Sequence, residues 1–277
     1  MLEVNLFDSS FIHTENMFGY ITSTDSRKPT KIKWINGQLK FDGITVFTDK
    51  YIDYDFDQVE SKIKIFWLLE PKAVMPYGYP KIIEIEDKFD YILTYDTELL
   101  KRNKKYLKYV VGQSRVYEPK IHNKTKMFSM IASNKSFTPG HAFRHKISQK
   151  LANKHNIDMW GSGYKSFESK IEPLSEYYFS VSVTNSKVDN YFTEILVDNF
   201  MLGTIPIFWG CPNINEYFDE NGIISFDSIP ELDEILSKLT IQDYYDRIDS
   251  VKKNFEIAKN YISTDDMIAE ILEKILQ

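Results

Sequence analysis

The sequence predicts an α/β protein of two doubly wound, mainly parallel halves joined near residue 120. Three observations carry this. Short β-branched and aromatic runs alternate with segments of helical periodicity. The runs fall into two sets on either side of a polar, proline-containing stretch. A chain of 277 residues is long enough for two domains that each bury a core.

In the first set, residues 43–49 (GITVFTD), 62–70 (KIKIFWLLE), 89–96 (FDYILTYD) and 105–111 (KYLKYVV) are runs bounded by turn or charged residues. Such runs suit strands of a buried, mainly parallel sheet. Residues 117–126 (YEPKIHNKTK) are polar, contain Pro119 and read as the interdomain linker. The expected domains are therefore 1–120 and 121–277. The second set comprises 127–133 (MFSMIAS), 156–161 (NIDMWG), 177–183 (YYFSVSV), 204–210 (TIPIFWG) and 222–227 (GIISFD). Between these strands, 141–153 and 190–202 carry apolar residues at a 3.6-residue period. Pro139-Gly140 and Gly203 punctuate their ends. Residues 229–277 read as helical throughout, with Ser263 and Asp266 forming a capping box before MIAEILEKIL. In doubly wound folds ligands sit beyond the carboxyl ends of the strands.

Composition narrows the function. Hydrophobic residues at 43% and charged residues at 27% describe an ordinary globular chain. A net charge of −6 argues against a nucleic-acid protein that neutralises phosphates with a basic surface. Cys211 is the only cysteine, so no intramolecular disulfide forms, and a reducing compartment fits. Residues 1–18 are acidic and polar where a leader peptide would be basic and then apolar. No apolar run approaches the ~20 residues that span a bilayer. The expectation is a cytoplasmic protein without a transmembrane segment.

The stretch 184–210 (TNSKVDNYFTEILVDNFMLGTIPIFWG) places polar chemistry at the end of a strand and the start of a helix. Helix N-termini carry unpaired N–H groups and a positive dipole end, which suit a phosphate or a ribose hydroxyl. Asn185, Ser186 and Tyr191 supply neutral hydrogen-bonding groups beside it. Read only locally, Asn185 and Ser186 make the turn and Glu194 complements the dipole. Upstream, 133–151 (SNKSFTPGHAFRHKISQKL) runs from strand to loop to helix, with His141, Arg144 and His145 sharing one face. In the first half, the strand 62–70 stops at Glu70-Pro71. A carboxylate there, beside apolar and aromatic residues, is placed to act as a general base.

The stretch 184–210 resembles the C-terminal signature of family 10 glycosyltransferases, the α-1,3/1,4-fucosyltransferases. Asn185, Ser186, Tyr191, Thr193, Glu194, Gly203, Pro206 and Gly210 stand in the signature's order. Two positions depart from it: Thr184 where the family has glutamate, and Ile195 where it has a lysine that reaches the donor diphosphate. By the same resemblance Arg144, seven residues before Leu151, contacts the donor pyrophosphate, and Glu70 is the base that deprotonates the acceptor. The resemblance implies a GT-B-like architecture of two Rossmann-like domains with a cleft between them, and inverting transfer from GDP-fucose to a glycan hydroxyl. It assigns Glu70 to catalysis. Arg144, Asn185, Ser186, Tyr191 and Glu194 go to donor binding, with the helix N-terminus near Glu194 helping to stabilise the diphosphate; His141, one turn before Arg144, is placed by its own position to cap the helix or contact phosphate. No cofactor and no metal enter that scheme. The spacing of Asp53, Asp55 and Asp57 matches a metal-binding Asp-x-Asp pattern, yet it falls in an acidic loop that reads as solvated. The departures at Thr184 and Ile195 leave two further readings open: a different nucleotide sugar, or a catalytically silent carbohydrate- or nucleotide-binding relative.

Overall fold

The computed structural model describes residues 1–8, 29–110 and 112–277. Most of the amino-terminal stretch 1–18, and Val111 at the end of the predicted strand 105–111, lie outside them. The chain divides into two compact units, Met1–Val111 with Ser263–Gln277, and Gly112–Ile262. Among the described residues no helix is long and apolar enough to cross a membrane.

The first unit holds strands β1 (Leu2–Phe7), β2 (Ile32–Asn36), β3 (Lys40–Thr48) and β4 (Glu60–Trp67). Helix α1 (Gly78–Glu84), strand β5 (Tyr91–Thr94), helix α2 (Thr97–Leu100) and strand β6 (Tyr106–Lys108) follow. All neighbours pair in parallel, in the order β2-β1-β3-β4-β5-β6. Strands β1 and β2 were not foreseen. Strand β1 buries Asn5 completely in mid-sheet, so its sequence does not read as an apolar run. The amide is satisfied at a distance: Nδ2 donates to Gln38 O (2.8 Å) and Thr45 Oγ1 (3.0 Å), and Oδ1 accepts from Gln38 N (2.7 Å). One face of the sheet rests on an aromatic core. Phe7 stacks on Phe47 at 4.8 Å, and Phe56 meets Phe89 edge-on at 4.8 Å.

The second unit continues with β7 (Lys126–Ile131), α3 (Pro139–Ile147), β8 (Asp158–Trp160), α4 (Ile171–Leu174), β9 (Tyr177–Val183), α5 (Glu194–Met201), β10 (Ile205–Trp209) and β11 (Ile224–Ser225). Its sheet is parallel throughout, in the order β11-β10-β9-β7-β8. Each unit is thus a parallel doubly wound α/β layer, the Rossmann-like pattern. Helix α3 begins where Thr138 caps it and Pro139 takes the first turn, and a wider turn over Ser148–Ala152 prolongs it. Helix α5 ends at Gly203, whose φ of +71° is the left-handed closure that favours glycine. The stretch 117–126, expected as linker, packs on this unit: Lys120 N–H donates to Met201 O. The buried Lys124 Nζ donates to Ser175 O, Leu202 O and Thr204 Oγ1 at 2.7–3.0 Å.

The tail is four helices, α6 (Ile229–Lys238), α7 (Ile241–Asp246), α8 (Ile248–Ala258) and α9 (Thr264–Ile275). The last belongs to the first unit. Ser263 caps it by accepting from Asp266 N–H, but the Asp266 carboxylate does not close the expected box. It accepts instead from Thr30 N–H (2.8 Å) and Lys31 N–H (2.9 Å), while Asp265 accepts from Trp34 Nε1 (2.8 Å). The expected domains were 1–120 and 121–277; in the structure the division falls at Gly112, and Ser263–Gln277 groups with the first unit.

Candidate active site

The second sheet changes direction at β7: the chain builds β8 on one side, then crosses to β9 on the other. The carboxyl ends of β7 and β9 therefore flank the switch point where α/β sheets bind ligands. Strand β9 delivers Thr184, Asn185 and Ser186, and β7 leads to α3. These two segments meet at Gly140. Its N–H donates to Asn185 O (3.1 Å), and a Cβ built there would sit 1.8 Å from Thr184 O. Only glycine allows α3 to lie this close.

That approach brings Arg144 to the β9 end. It is 6% exposed; Nε donates to Val183 O (2.8 Å) and Nη2 to Asn185 Oδ1 (3.2 Å), while Nη1 has no hydrogen-bond partner among the described residues. Burial pulls the guanidinium below its ordinary value, and Glu194 and Tyr191 oppose that shift. One edge of a rigid cation is thus fixed to protein and the other is left for an anion. One turn earlier, His141 is buried, with Nδ1 2.8 Å from Thr138 Oγ1. Burial first, then the neighbouring Arg144, Lys135 and His145 side chains, push it down to about 4, so the ring is neutral at pH 7. Thr138 Oγ1 also accepts from His141 N–H, so the one hydroxyl engages both the backbone and the ring of His141. Ser186 is also buried, and its Oγ lacks a partner among the described residues.

Glu194 opens α5, half-buried. Burial would raise its carboxyl, but Lys170, Arg115, its own N–H and Arg144 hold it below the ordinary value. Two of the N–H groups expected to serve a diphosphate here are engaged internally, Ile195 N–H with Thr193 Oγ1 (3.4 Å) and Leu196 N–H with Thr193 O (3.0 Å). Positive charge comes from side chains instead. Lys170 lies 3.4 Å from the fully buried Asp198, whose other oxygen accepts from Ser114 Oγ (2.9 Å) and Arg115 N–H (2.7 Å). Sequence reasoning passed over Lys170, Arg115 and Asp198; an acid in the apolar middle of α5 was the one signal. Tyr191 is buried in the preceding loop. Thr184, in place of an acid, donates from Oγ1 to Ser186 O (2.7 Å) and holds the loop. Ile195 and Lys170 line one small cavity, and Lys187 pairs with Asp227.

Six of the seven expected site residues thus gather in the second unit. Glu70 belongs to the first. It lies three residues beyond β4, half-buried, with its N–H on Asp49 Oδ2 (2.6 Å) and its carbonyl accepting from Tyr79 Oη (3.0 Å). Asp55 caps a short turn, and Asp57 pairs with Lys88 on the surface. Cys211 is buried, its thiol pushed up to about 11 chiefly by desolvation, which leaves it unreactive.

The family model for glycosyltransferase family 10 (fucosyltransferase), C-terminal part, matches residues 121–272. The α-(1,3)-fucosyltransferase FucT of Helicobacter pylori is 28% identical over 113 residues, 39% of this chain and 23% of that protein. The match thus spans about a quarter of that relative's length. A crystal structure of an α1,3-fucosyltransferase with GDP-fucose superposes with a TM-score of 0.61 at 16% identity, over 99% of this chain and 89% of that one. TarM superposes with a TM-score of 0.56 at 12% identity, over 83% of this chain and 54% of its own. At such identities the likeness is one of fold, and that fold is GT-B.

Proposed function

The chain belongs to glycosyltransferase family 10, the fucosyltransferase family, and on that premise we propose that it transfers fucose from GDP-fucose to a glycan hydroxyl with inversion. The observation that carries this is Arg144 at the switch point, one edge of its guanidinium bound to Val183 and Asn185 and the other edge open. A departing nucleoside diphosphate needs a cation held in place before the bond breaks. Arg144 supplies it, with the neutral His141 ring and the Ser186 hydroxyl as polar groups beside it. Asn185, Tyr191 and Glu194 position nucleotide and sugar.

In the proposed step Glu70 takes the proton of the acceptor hydroxyl. The acceptor oxygen forms a bond to the anomeric carbon from the face opposite the leaving group. The bond from that carbon to the phosphate oxygen breaks, and its electron pair leaves with GDP. One displacement inverts the centre.

The test has two arms. Melting temperature is measured with GDP, UDP, CMP and dTDP, since a ligand bound only by the native state raises it. GDP is expected to stabilise most. Stabilisation by UDP alone would favour the second donor reading, which rests on Ile195 standing where the family has lysine. GDP release from GDP-fucose with a panel of glycans is then compared with Glu70→Gln, expected to be slower by about 10²–10⁴-fold. Equal release from both proteins rejects Glu70 as the base.

A further inference from the structure

Strand β3 ends at Thr48, and the next residue, Asp49, turns its side chain back across the sheet edge toward the segment after β4. Its two oxygens take two successive amides. Oδ1 accepts from Leu69 N–H (2.7 Å), and Oδ2 accepts from Glu70 N–H (2.6 Å). Asp49 is 2% exposed, so water does not compete for either bond. On the other side of Glu70, the Tyr79 hydroxyl donates to the Glu70 carbonyl at 3.0 Å. Tyr79 is itself buried in the aromatic core of the unit. Pro71 follows directly and confines Glu70 to extended backbone. The peptide units before and after Glu70 are therefore both held, while the side chain they carry stays half-exposed.

Asp49 costs the fold something. A carboxylate buried among apolar strands is unfavourable unless its oxygens are bonded. A turn of this kind needs no acid, because amides at a strand end reach water or a neighbouring carbonyl. The two oxygens here hold successive amides, those of Leu69 and Glu70, and the second belongs to the proposed base.

We infer that Asp49 is a positioning residue for Glu70: its carboxylate clamps the Leu69 and Glu70 amides and so fixes where the Glu70 carboxylate points. This rests on the reading of Glu70 as the base. Asp49→Asn keeps shape and volume but replaces one acceptor by a donor facing an N–H, which breaks one of the two bonds. Misplacement by about 1 Å is enough to slow a reaction ~10²-fold.

The experiment is a double-mutant cycle on the full chain with Asp49→Asn, Glu70→Gln and the pair. Turnover is followed as GDP release from GDP-fucose with the glycan panel and with water as acceptor, GDP affinity by calorimetry, and amide exchange over residues 68–71 by mass spectrometry. Asp49→Asn is expected to lower kcat by ~10–100-fold. KM for GDP-fucose and the GDP Kd should stay within twofold, exchange at 69 and 70 should rise, and no further loss should follow in the Glu70→Gln background. A role confined to stability would instead lower the melting temperature and leave kcat of the folded protein unchanged. Wild-type turnover by Asp49→Asn beside an impaired Glu70→Gln, an additive loss in the pair, or unchanged exchange at 69 and 70 overturns this inference alone. Wild-type turnover by Glu70→Gln overturns the base reading and this inference with it. If Asp49→Asn does not fold, Tyr79→Phe removes the second hold on Glu70, and an unchanged kcat there overturns the inference.

Discussion

Replacing Arg144 by methionine separates its two duties. The methionine stem fills most of the volume of the buried arginine stem, so packing is largely kept. Two bonds vanish: Nε to Val183 O at 2.8 Å and Nη2 to Asn185 Oδ1 at 3.2 Å. The Val183 carbonyl lies at a buried strand end, and leaving such a group unpaired costs about 1–3 kcal/mol. For a protein of this size each kcal/mol lowers the melting temperature by roughly 2–4 °C, so a modest but clear drop is expected. The effect on ligand is larger. Truncating one partner of a buried, hydrogen-bonded charge pair typically costs about 2–5 kcal/mol, which corresponds to GDP affinity weakened by roughly 30-fold to several thousand-fold. Isothermal titration of GDP into both proteins at one salt concentration measures it. Arg144→Lys keeps the charge but not the fork, and should fall between. A GDP Kd for Arg144→Met within threefold of wild type would show that the open edge of this guanidinium does not face the nucleotide, and the placement of the donor at the β7–β9 switch point would be wrong.

Gly140→Ala should be more damaging than its size suggests. The added Cβ would lie 1.8 Å from Thr184 O and 2.9 Å from the Asn185 carbonyl carbon, so α3 must move away from the β9 end and carry Arg144 with it. A loss of several kcal/mol in stability together with weakened GDP binding is expected, and a melting temperature within 1–2 °C of wild type would refute the close approach. Asp49 should make stability depend on pH. Desolvation first, then the carboxylates of Glu70 and Asp8, raise it to about 7 against the amides of Leu69 and Glu70, with the buried Tyr79 hydroxyl nearby. The folded state then binds more protons than the unfolded chain between about pH 4 and 7. The contribution is full at the acid end of that window and fades as pH rises through 7, by up to about 4 kcal/mol. Chemical denaturation of wild type and Asp49→Asn across that range checks the sign; equal slopes for the two proteins would assign the titration elsewhere.

Much of the architecture is legible in the sequence alone. The strands at β3 to β11 carry apolar runs because parallel strands are covered on both faces, and a run of that kind survives in the sequence as a local signal. Thr138-Pro139-Gly140 and Gly203 mark helix ends through local backbone chemistry. Arg144, Asn185, Ser186, Tyr191 and Glu194 were singled out through the family resemblance, whose motifs are short and lie at strand ends and helix starts.

What the sequence did not disclose depends on residues distant along the chain. Strand β1 hides because Asn5 is satisfied by Gln38 and Thr45, 33 and 40 residues away. Asp266 reads as half of a capping box, yet its carboxylate holds Thr30 and Lys31, 236 and 235 residues away, so the last helix belongs to the first unit. The N-terminus of α5 reads as free for a phosphate, yet Thr193 engages the Ile195 and Leu196 amides, and the cations around Glu194 come from Arg115, Arg144 and Lys170. The clamp of Asp49 on Leu69 and Glu70 joins segments 20 and 21 residues apart. By itself the sequence determined most of the strands and helices and which polar residues stand at their ends, because periodicity and capping act within a few residues. Only the tertiary structure decided which donors stay open and which charges meet, because burial and hydrogen-bond satisfaction depend on what the fold brings alongside.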